Sequence, residues 1–271
     1  MAYVVVPGSN DTLEYDNGAS ASLYSDSAAG ANSVIASGIR TYTKPGTSDT
    51  VKTYVRTRIN GEINLKTYSE AISIPFWPNN NAVTLASDNQ IAPDETTTGD
   101  SITDNNDSAV NNRLVWHNGV WASTGTYTFS AYAKPKENGL FVLGLRATSS
   151  ETATAVFDVS NGTVATTNGV GSCTVDKTSI VSVNNGWYRC ALTVTMASVG
   201  DGRCQTGTLD AIGSLDNSGY GRYSGSGNTG IYVWGYMLSE GPNLRRYIKT
   251  EASVSTTIER GEVSKTYFDA Q

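Results

Sequence analysis

The chain has 271 residues, a formal net charge of −6 and only 16% charged side chains. This acidic balance disfavours binding to a nucleic-acid backbone, which needs a basic patch, and no apolar run in the sequence approaches the length of a transmembrane helix. The start of the chain lacks the basic and apolar regions of a signal peptide, so we expect a soluble protein made in a cytoplasm, with no membrane and no nucleic acid among its partners.

The composition favours an all-β protein. Glycine is abundant, with 27 residues, and serine, threonine, asparagine and tyrosine dominate much of the rest. That mixture is typical of short strands joined by polar turns, whereas long amphipathic helices need alanine, leucine, glutamate and lysine in quantity.

The sequence divides into three parts: an N-terminal β unit over residues 1–70, a β-sandwich over residues 71–250, and a C-terminal extension over residues 251–271.

The N-terminal part contains one pattern typical of a hairpin. Residues 54–59 and 62–65 flank Asn60 and Gly61, and an Asn-Gly pair supplies the two positive φ angles that a tight two-residue turn needs. A unit of this size with few large apolar residues is marginally stable alone. We therefore expect it to attach to a partner or to other copies of the chain.

The central part reads as a series of strands. Apolar residues alternate with polar ones over residues 127–133, 141–145 and 188–196, and residues 231–238 are nearly all apolar, which predicts a central strand buried on both faces. Trp187 and Trp234 are predicted core residues, and Cys190 a buried, reduced thiol. Turns are predicted at three Asn-Gly pairs, at residues 161–162, 168–169 and 185–186.

Catalytic patterns are missing from the sequence. His117 is the single histidine and has no nucleophile motif beside it. The three cysteines, at positions 173, 190 and 204, lack the spacing of metal ligands, although Cys173 and Cys204 could pair. We expect a protein that is not an enzyme.

Acidic residues on predicted loops form a candidate calcium site. Hard oxygen ligands suit Ca²⁺, and asparagine and threonine carbonyls are available nearby. The alternative is a set of solvated acidic loops, since the spacing fits no defined calcium motif. The candidate ligands are Asp94, Asp100, Asp104 and Asp107.

A second candidate site would bind glycans. Sugar rings pack their C–H faces on aromatic side chains, while polar and charged groups bind the hydroxyls. The loop over residues 217–225 has the tyrosine, serine and glycine content of an adaptable binding loop. The competing interpretation is burial in the core or in an interface. The candidate residues are Trp116, Trp121, Tyr220, Arg222 and Tyr223.

Four segments, in order, carry a resemblance to a known family. They are the loop 91–100 (IAPDETTTGD), residues 125–134 (GTYTFSAYAK), residues 186–190 (GWYRC) and residues 230–241 (GIYVWGYMLSEG), followed by Tyr-Ile-Lys-Thr at 247–250. Together they resemble the carbohydrate-binding-module-like jelly rolls of tailed-phage head spikes, head decoration proteins and tail fibres. The resemblance covers about two thirds of the chain and implies an antiparallel jelly-roll β-sandwich, often a homotrimer in the virion, without implying catalysis.

The C-terminal extension is a candidate assembly arm. Apolar residues stand at intervals in a polar tail, and such a tail could add a strand to a neighbouring subunit of a trimer. The residues are Val254, Ile258, Val263, Tyr267 and Phe268.

We therefore expect a virion structural protein: a trimeric capsid decoration (cement or head-spike) protein that contacts the major capsid protein and holds the jelly roll outward. The absence of long shafts or repeats favours a head location. The alternatives are a short tail fibre that recognises a host surface glycan, and the accessory glycan-binding module of a glycan-degrading enzyme.

Overall fold

The computed structural model describes residues 12–14, 20–25, 33–43, 50–73, 77, 79–251, 255–260 and 264–268. This part of the chain contains twenty β-strands, numbered here in chain order, two single-turn 3-10 segments and no α-helix. The protein is therefore all-β, as predicted, and every sheet is antiparallel. Within the same ranges, no helix is long and apolar enough to cross a bilayer. Two compact units are formed, Met1–Glu62 with Thr256–Gln271, and Ile63–Ser255.

The first unit is built on a six-stranded sheet. Its strands are β1 (Thr12–Glu14), β2 (Ser20–Ser25), β3 (Ser33–Thr43), β4 (Thr50–Asn64), β19 (Ser255–Arg260) and β20 (Ser264–Phe268), in the order β1-β2-β3-β4-β19, with β20 also paired to β4. The predicted hairpin turn at Asn60-Gly61 is wrong, because β4 runs straight through both residues. The ladder with β3, which extends from Ser33–Asn60 to Thr43–Thr50, outweighs the turn preference of two residues.

The C-terminal segment completes this sheet. Strand β20 pairs with β4 from Ser264–Arg56 to Phe268–Lys52, which covers a strand edge that would otherwise present unpaired N–H and C=O groups. In place of a separate extension after residue 250, the chain returns to its own N-terminal unit. Ile258 lies on β19, and Tyr267 and Phe268 lie on β20, while Val254 and Val263 fall outside the described residues.

The second unit contains two six-stranded sheets. The strands are β5 (Asn79–Asn81), β6 (Val83–Gln90), β7 (Gly99–Asp104), β8 (Val110–Asn112), β9 (Leu114–His117), β10 (Gly125–Pro135), β11 (Leu140–Thr148), β12 (Glu151–Asp158), β13 (Thr163–Val170), β14 (Thr174–Ser182), β15 (Tyr188–Met196), β16 (Arg203–Thr208), β17 (Arg222–Ser224) and β18 (Gly230–Glu240). The first sheet has the order β14-β15-β10-β18-β7-β6, the second sheet has the order β13-β12-β11-β16-β9-β5, and β17 pairs with β8 separately.

The two sheets share one hydrophobic core. Alternate residues of both sheets enter it, including Phe129 of β10, Leu192 of β15, Leu143 of β11 and Phe157 of β12, all fully buried. The predicted alternation of these strands is thereby confirmed. Strand β18 lies between β10 and β7 and is buried along nearly its whole length, as predicted.

Of the three Asn-Gly pairs in this unit, two form turns and one lies inside a strand. Two of them lie between strands as predicted, with Gly162 and Gly186 at positive φ. The pair Asn168-Gly169 lies inside β13, where its residues pair with Thr154 and Ala153 of β12, so that predicted turn is wrong. The three cysteines are buried free thiols, which confirms the prediction for Cys190 and shows no bond between the other two.

Candidate functional site

The outer face of the second sheet carries two rows of paired side chains that point away from the shared core. Cys204 of β16 enters the core, so its neighbours Arg203 and Gln205 lie on the opposite face. Strand register then defines which residues lie beside them. One row is Thr152–Arg146–Arg203, and the next is Thr154–Gly144–Gln205–Trp116.

Arg203 is the centre of this face. Its guanidinium lies 4.4 Å from the ring centroid of Trp116 and 5.8 Å from that of Tyr220, distances at which a cation is attracted to the face of an aromatic ring. The residue is only 6% exposed, and burial lowers the pKa of Arg203 to about 10. It still carries a positive charge at neutral pH.

Several polar atoms around Arg203 have no hydrogen-bond partner. Four side-chain atoms are inaccessible to solvent and form no hydrogen bond: Nε of Arg203, Nε of Arg146, Oε1 of Gln205 and the hydroxyl of Tyr220. Arg146 contacts Asp201, at 3.4 Å between Nη2 and Oδ2. Because buried polar groups are normally hydrogen-bonded, four such atoms in one place mark an unusual site.

A loop formed by residues 216–220 holds Tyr220 against this face. Asp216 Oδ1 accepts hydrogen bonds from the backbone N–H groups of Ser218 and Tyr220. The carbonyl of Gly219 accepts a bond from Thr154 Oγ1 at 3.0 Å. Gly219 has φ +79°, and a Cβ there would lie 2.5 Å from Thr154 Oγ1, so only glycine allows this approach.

The predicted glycan residues are only partly brought together. Trp116 and Tyr220 meet at Arg203 and are both half-buried. Trp121 lies in the core against Tyr127, and Tyr223 is 5% exposed beneath Arg113, so neither presents a face to a ligand. Arg222 is exposed on β17. Burial of Tyr223 follows from the alternation of β17, which the composition of the loop conceals, whereas Trp121 lies between β9 and β10.

The four predicted calcium ligands all have hydrogen-bond partners within the chain. Asp94 binds Thr96 of its own turn, and Asp104 accepts the backbone N–H groups of Ser226 and Thr229. Asp100 and Asp107 are equally engaged, by the backbone of Ile72 and Asp88 and by Arg113 respectively. Among the described residues, no group of three or more His, Cys, Asp or Glu side chains could hold a metal ion. The calcium prediction gains no support from this arrangement.

Two other arginines pack on aromatic rings, and both have polar partners. Arg113 lies over Tyr223 and donates five hydrogen bonds, two to the carboxylate of Asp107 and three to backbone carbonyls. The bond from Arg113 lowers the pKa of Asp107. Arg189 lies over Tyr132 and donates to the carbonyl of Arg245 at 2.6 Å. Both side chains therefore serve to hold loops.

The outer face of the first sheet is closed by two tryptophans. Trp187 Nε1 donates to the carbonyl of Ile91, and Trp234 Nε1 donates to Oγ1 of Thr98, each at 2.9 Å. Both indoles are buried in one cluster with Ala92, which confirms the core prediction for them. These contacts fasten the loop 91–98 onto the sheet and leave a well-bonded scaffold.

His117 lies on the inner side of the second sheet, opposite Cys204 in the strand register. Burial, with a smaller contribution from the charge of Lys66, lowers the pKa of His117 to about 4. Lys66 is itself buried, with Nζ 4.8 Å from the ring centroid of Trp77, and burial lowers its pKa to about 8. The half-buried imidazole is thus neutral at pH 7.

No protein-family model matches the chain, and no curated protein sequence matches it significantly. The resemblance to phage jelly rolls therefore depends on the quoted segments alone.

Proposed function

We propose that this chain is a structural protein of a tailed-phage virion, specifically a trimeric head decoration protein with a carbohydrate-binding-module-like jelly roll and no catalytic activity. One observation supports the proposal: the segments that carry the resemblance, far apart in sequence, meet in one place. Residues 186–190, 125–134 and 230–241 lead into or form the adjacent strands β15, β10 and β18. The loop 91–98 is bonded to the tryptophans of two of them.

The strand order of the larger unit also supports a jelly roll. Strand β10 lies between β15 and β18, and β16 lies between β11 and β9, so neighbours in each sheet come from distant parts of the sequence. Such crossing between two antiparallel sheets is typical of jelly rolls and unlike a simple meander.

A test of the proposal begins with the particles of the virus that encodes the chain. Removing the gene should lower the temperature at which heads release DNA, and cryo-electron microscopy of intact particles should show trimeric density on the capsid that is lost in the deletion. Adding back the purified protein should restore both. A protein absent from purified virions would contradict the proposal.

A second candidate function is recognition of a host surface glycan by a short tail fibre. The meeting of Trp116 and Tyr220 on one guanidinium favours it. Antibody label at the tail tip, together with blocked adsorption in the presence of the purified protein, would support this candidate over decoration.

A further inference from the structure

Arg203 differs from the other arginines that pack on aromatic rings. Arg113 and Arg189 donate hydrogen bonds to carboxylate or carbonyl oxygens. Arg203 forms no hydrogen bond or ion pair with any described residue, although it is 94% buried. Nε of Arg203 is inaccessible to solvent, so the two terminal Nη atoms are the donors that remain for a ligand. From this difference we infer that the outer face of the second sheet binds an acidic sugar, whose carboxylate or phosphate group is held by Arg203 and Arg146.

The charge distribution of the site supports an anionic ligand. Arg146 and Arg203 are directly opposite in the register of β11 and β16, and like charges in that position destabilise a sheet. Asp201 is the nearby carboxylate, and its side chain is 44% exposed and contacts only Arg146 of this pair. The site thus carries excess positive charge in a chain of net charge −6. An oxyanion between two guanidinium groups would remove the repulsion, and their planar donors match carboxylate and phosphate geometry.

The neutral polar atoms of the site indicate that the ligand also carries hydroxyl groups. Gln205 Oε1 is an acceptor without a donor, and it lies in the row next to Arg203. The hydroxyl of Tyr220 can donate or accept. Neither atom is accessible to solvent, so a ligand reaches them when neighbouring side chains move. An anion without a hydroxyl group would leave Gln205 Oε1 unpaired, whereas a sugar hydroxyl could bond to both atoms.

The aromatic groups complete the chemistry of a sugar site. Trp116 is half-buried beside Gln205 and offers an apolar surface to sugar C–H groups. Tyr220 is held in place by Asp216, so part of the ordering cost of binding is met before the ligand arrives. This inference does not depend on where the protein sits in a particle, so it can fail while the virion proposal stands, and the reverse also holds.

The test is an NMR titration of the whole chain with four probes: D-glucuronate, D-glucose 6-phosphate, D-glucose and inorganic phosphate. We expect one or both acidic sugars to bind at least about tenfold more tightly than glucose and than inorganic phosphate, because a hydrogen bond to a charged group is stronger than a neutral one. The carboxylate and phosphate probes distinguish the two sources of the oxyanion. Equal affinity for glucose and the acidic sugars, tighter binding of inorganic phosphate, or no binding by any probe would overturn the inference.

Three variants test the location of the site, and a fourth variant is a matched control. Arg203→Gln and Arg146→Gln should each weaken binding of the acidic sugar about tenfold or more, and Tyr220→Phe severalfold. Lys177→Gln removes one positive charge from an exposed position on β14 of the first sheet, outside the site, and should bind as the unaltered chain does. If Arg203→Gln fails to fold, Arg146→Gln decides, because its side chain is 21% exposed. Without ligand, Arg146→Gln should melt at an equal or higher temperature; unchanged binding in that folded variant would refute the site.

Discussion

The outer faces of the two sheets both carry tryptophan, tyrosine and arginine, yet they differ in their hydrogen bonds. On the first sheet, Trp187 and Trp234 donate to a loop and are buried by it. On the second sheet, Trp116 and Tyr220 pack on Arg203, which has no polar partner among the described residues. Residue type alone therefore does not distinguish a face that is closed by a loop from a face with unpaired polar atoms. The hydrogen-bond pairing of the polar atoms does.

The largest expected effect separates the two tryptophan environments. Trp187→Ala should lower the free energy of unfolding by about 3–5 kcal/mol, because it leaves a cavity and an unpaired carbonyl at Ile91. Trp116→Ala, on the other face, should cost only about 1–2 kcal/mol, since the half-buried ring loses mainly its contact with Arg203. Urea unfolding followed by circular dichroism measures both. Equal losses in the free energy of unfolding would contradict the proposed difference between the outer faces of the two sheets.

A second pair of variants compares two arginines of the unit. Arg113→Met should destabilise the fold by about 2–3 kcal/mol, because Asp107 and three carbonyls lose their donor. Arg203→Met should change stability by less than about 1 kcal/mol, because it removes no hydrogen bond, and relief of the repulsion from Arg146 offsets the lost cation–π contacts with Trp116 and Tyr220. Thermal melting of the two variants beside the unaltered chain provides the measurement. A larger loss for Arg203→Met would assign that arginine a structural role.

Gly235 tests how tightly the first sheet's face is packed. It has φ +64°, and a Cβ there would lie 2.9 Å from the ring of Tyr132, next to a register shift between β10 and β18. Gly235→Ala should therefore cost about 1–3 kcal/mol. Gly213→Ala is the matched control, because nothing lies within 4 Å of that position and its φ is not positive. Comparable melting temperatures for the two variants would contradict the proposed strain.

The smallest effect concerns pH and the inner side of the second sheet. His117 has a pKa of about 4 in the folded chain, below its ordinary value of 6.5. The unfolded chain therefore binds more protons between these values, so stability falls as the pH is lowered from about 6.5 towards 4. Allowing for partial exposure, the loss is about 1–2 kcal/mol.

Asp100 opposes this effect, because burial raises its pKa to about 6 in the folded chain and so favours the folded state over part of the same range. Comparison with His117→Gln isolates the histidine. The variant should lose less stability than the unaltered chain between pH 7 and pH 4, as measured by urea unfolding at each pH. Parallel pH profiles would show that His117 is not buried as described.

The buried faces of the strands could be predicted from the sequence, whereas several turns and the pairing partners of the strands could not. The alternation over residues 127–133 and 188–196 predicts core faces correctly because one side of each strand must be buried. The Asn-Gly turn at residues 185–186 forms between strands, but the pairs at 60–61 and 168–169 are drawn into long ladders. Local turn preference is a small energy that strand pairing overrides.

Only some residues of the candidate site could be predicted from the sequence. Trp116 and Tyr220 were found by residue type, but Arg146 and Arg203 were missed because they are 57 positions apart and meet only through the register of β11 and β16. Conversely, the four aspartates suggested a common ion because they are close in sequence. Each instead accepts hydrogen bonds from other groups of the chain: Asp94 within its own turn, and Asp104 from the backbone of Thr229, far away in sequence.

The pairing of β4 with β19 and β20 has a consequence for protein synthesis. Strand β4 emerges from the ribosome before the two-sheet unit, whereas β19 and β20, which cover its second edge, emerge after that unit. Because domains tend to fold as they emerge, the two-sheet unit can form while β4 still lacks these partners. During that interval the open edge of β4 is available to another nascent chain, so translation on neighbouring ribosomes favours exchange of β19 and β20 between copies.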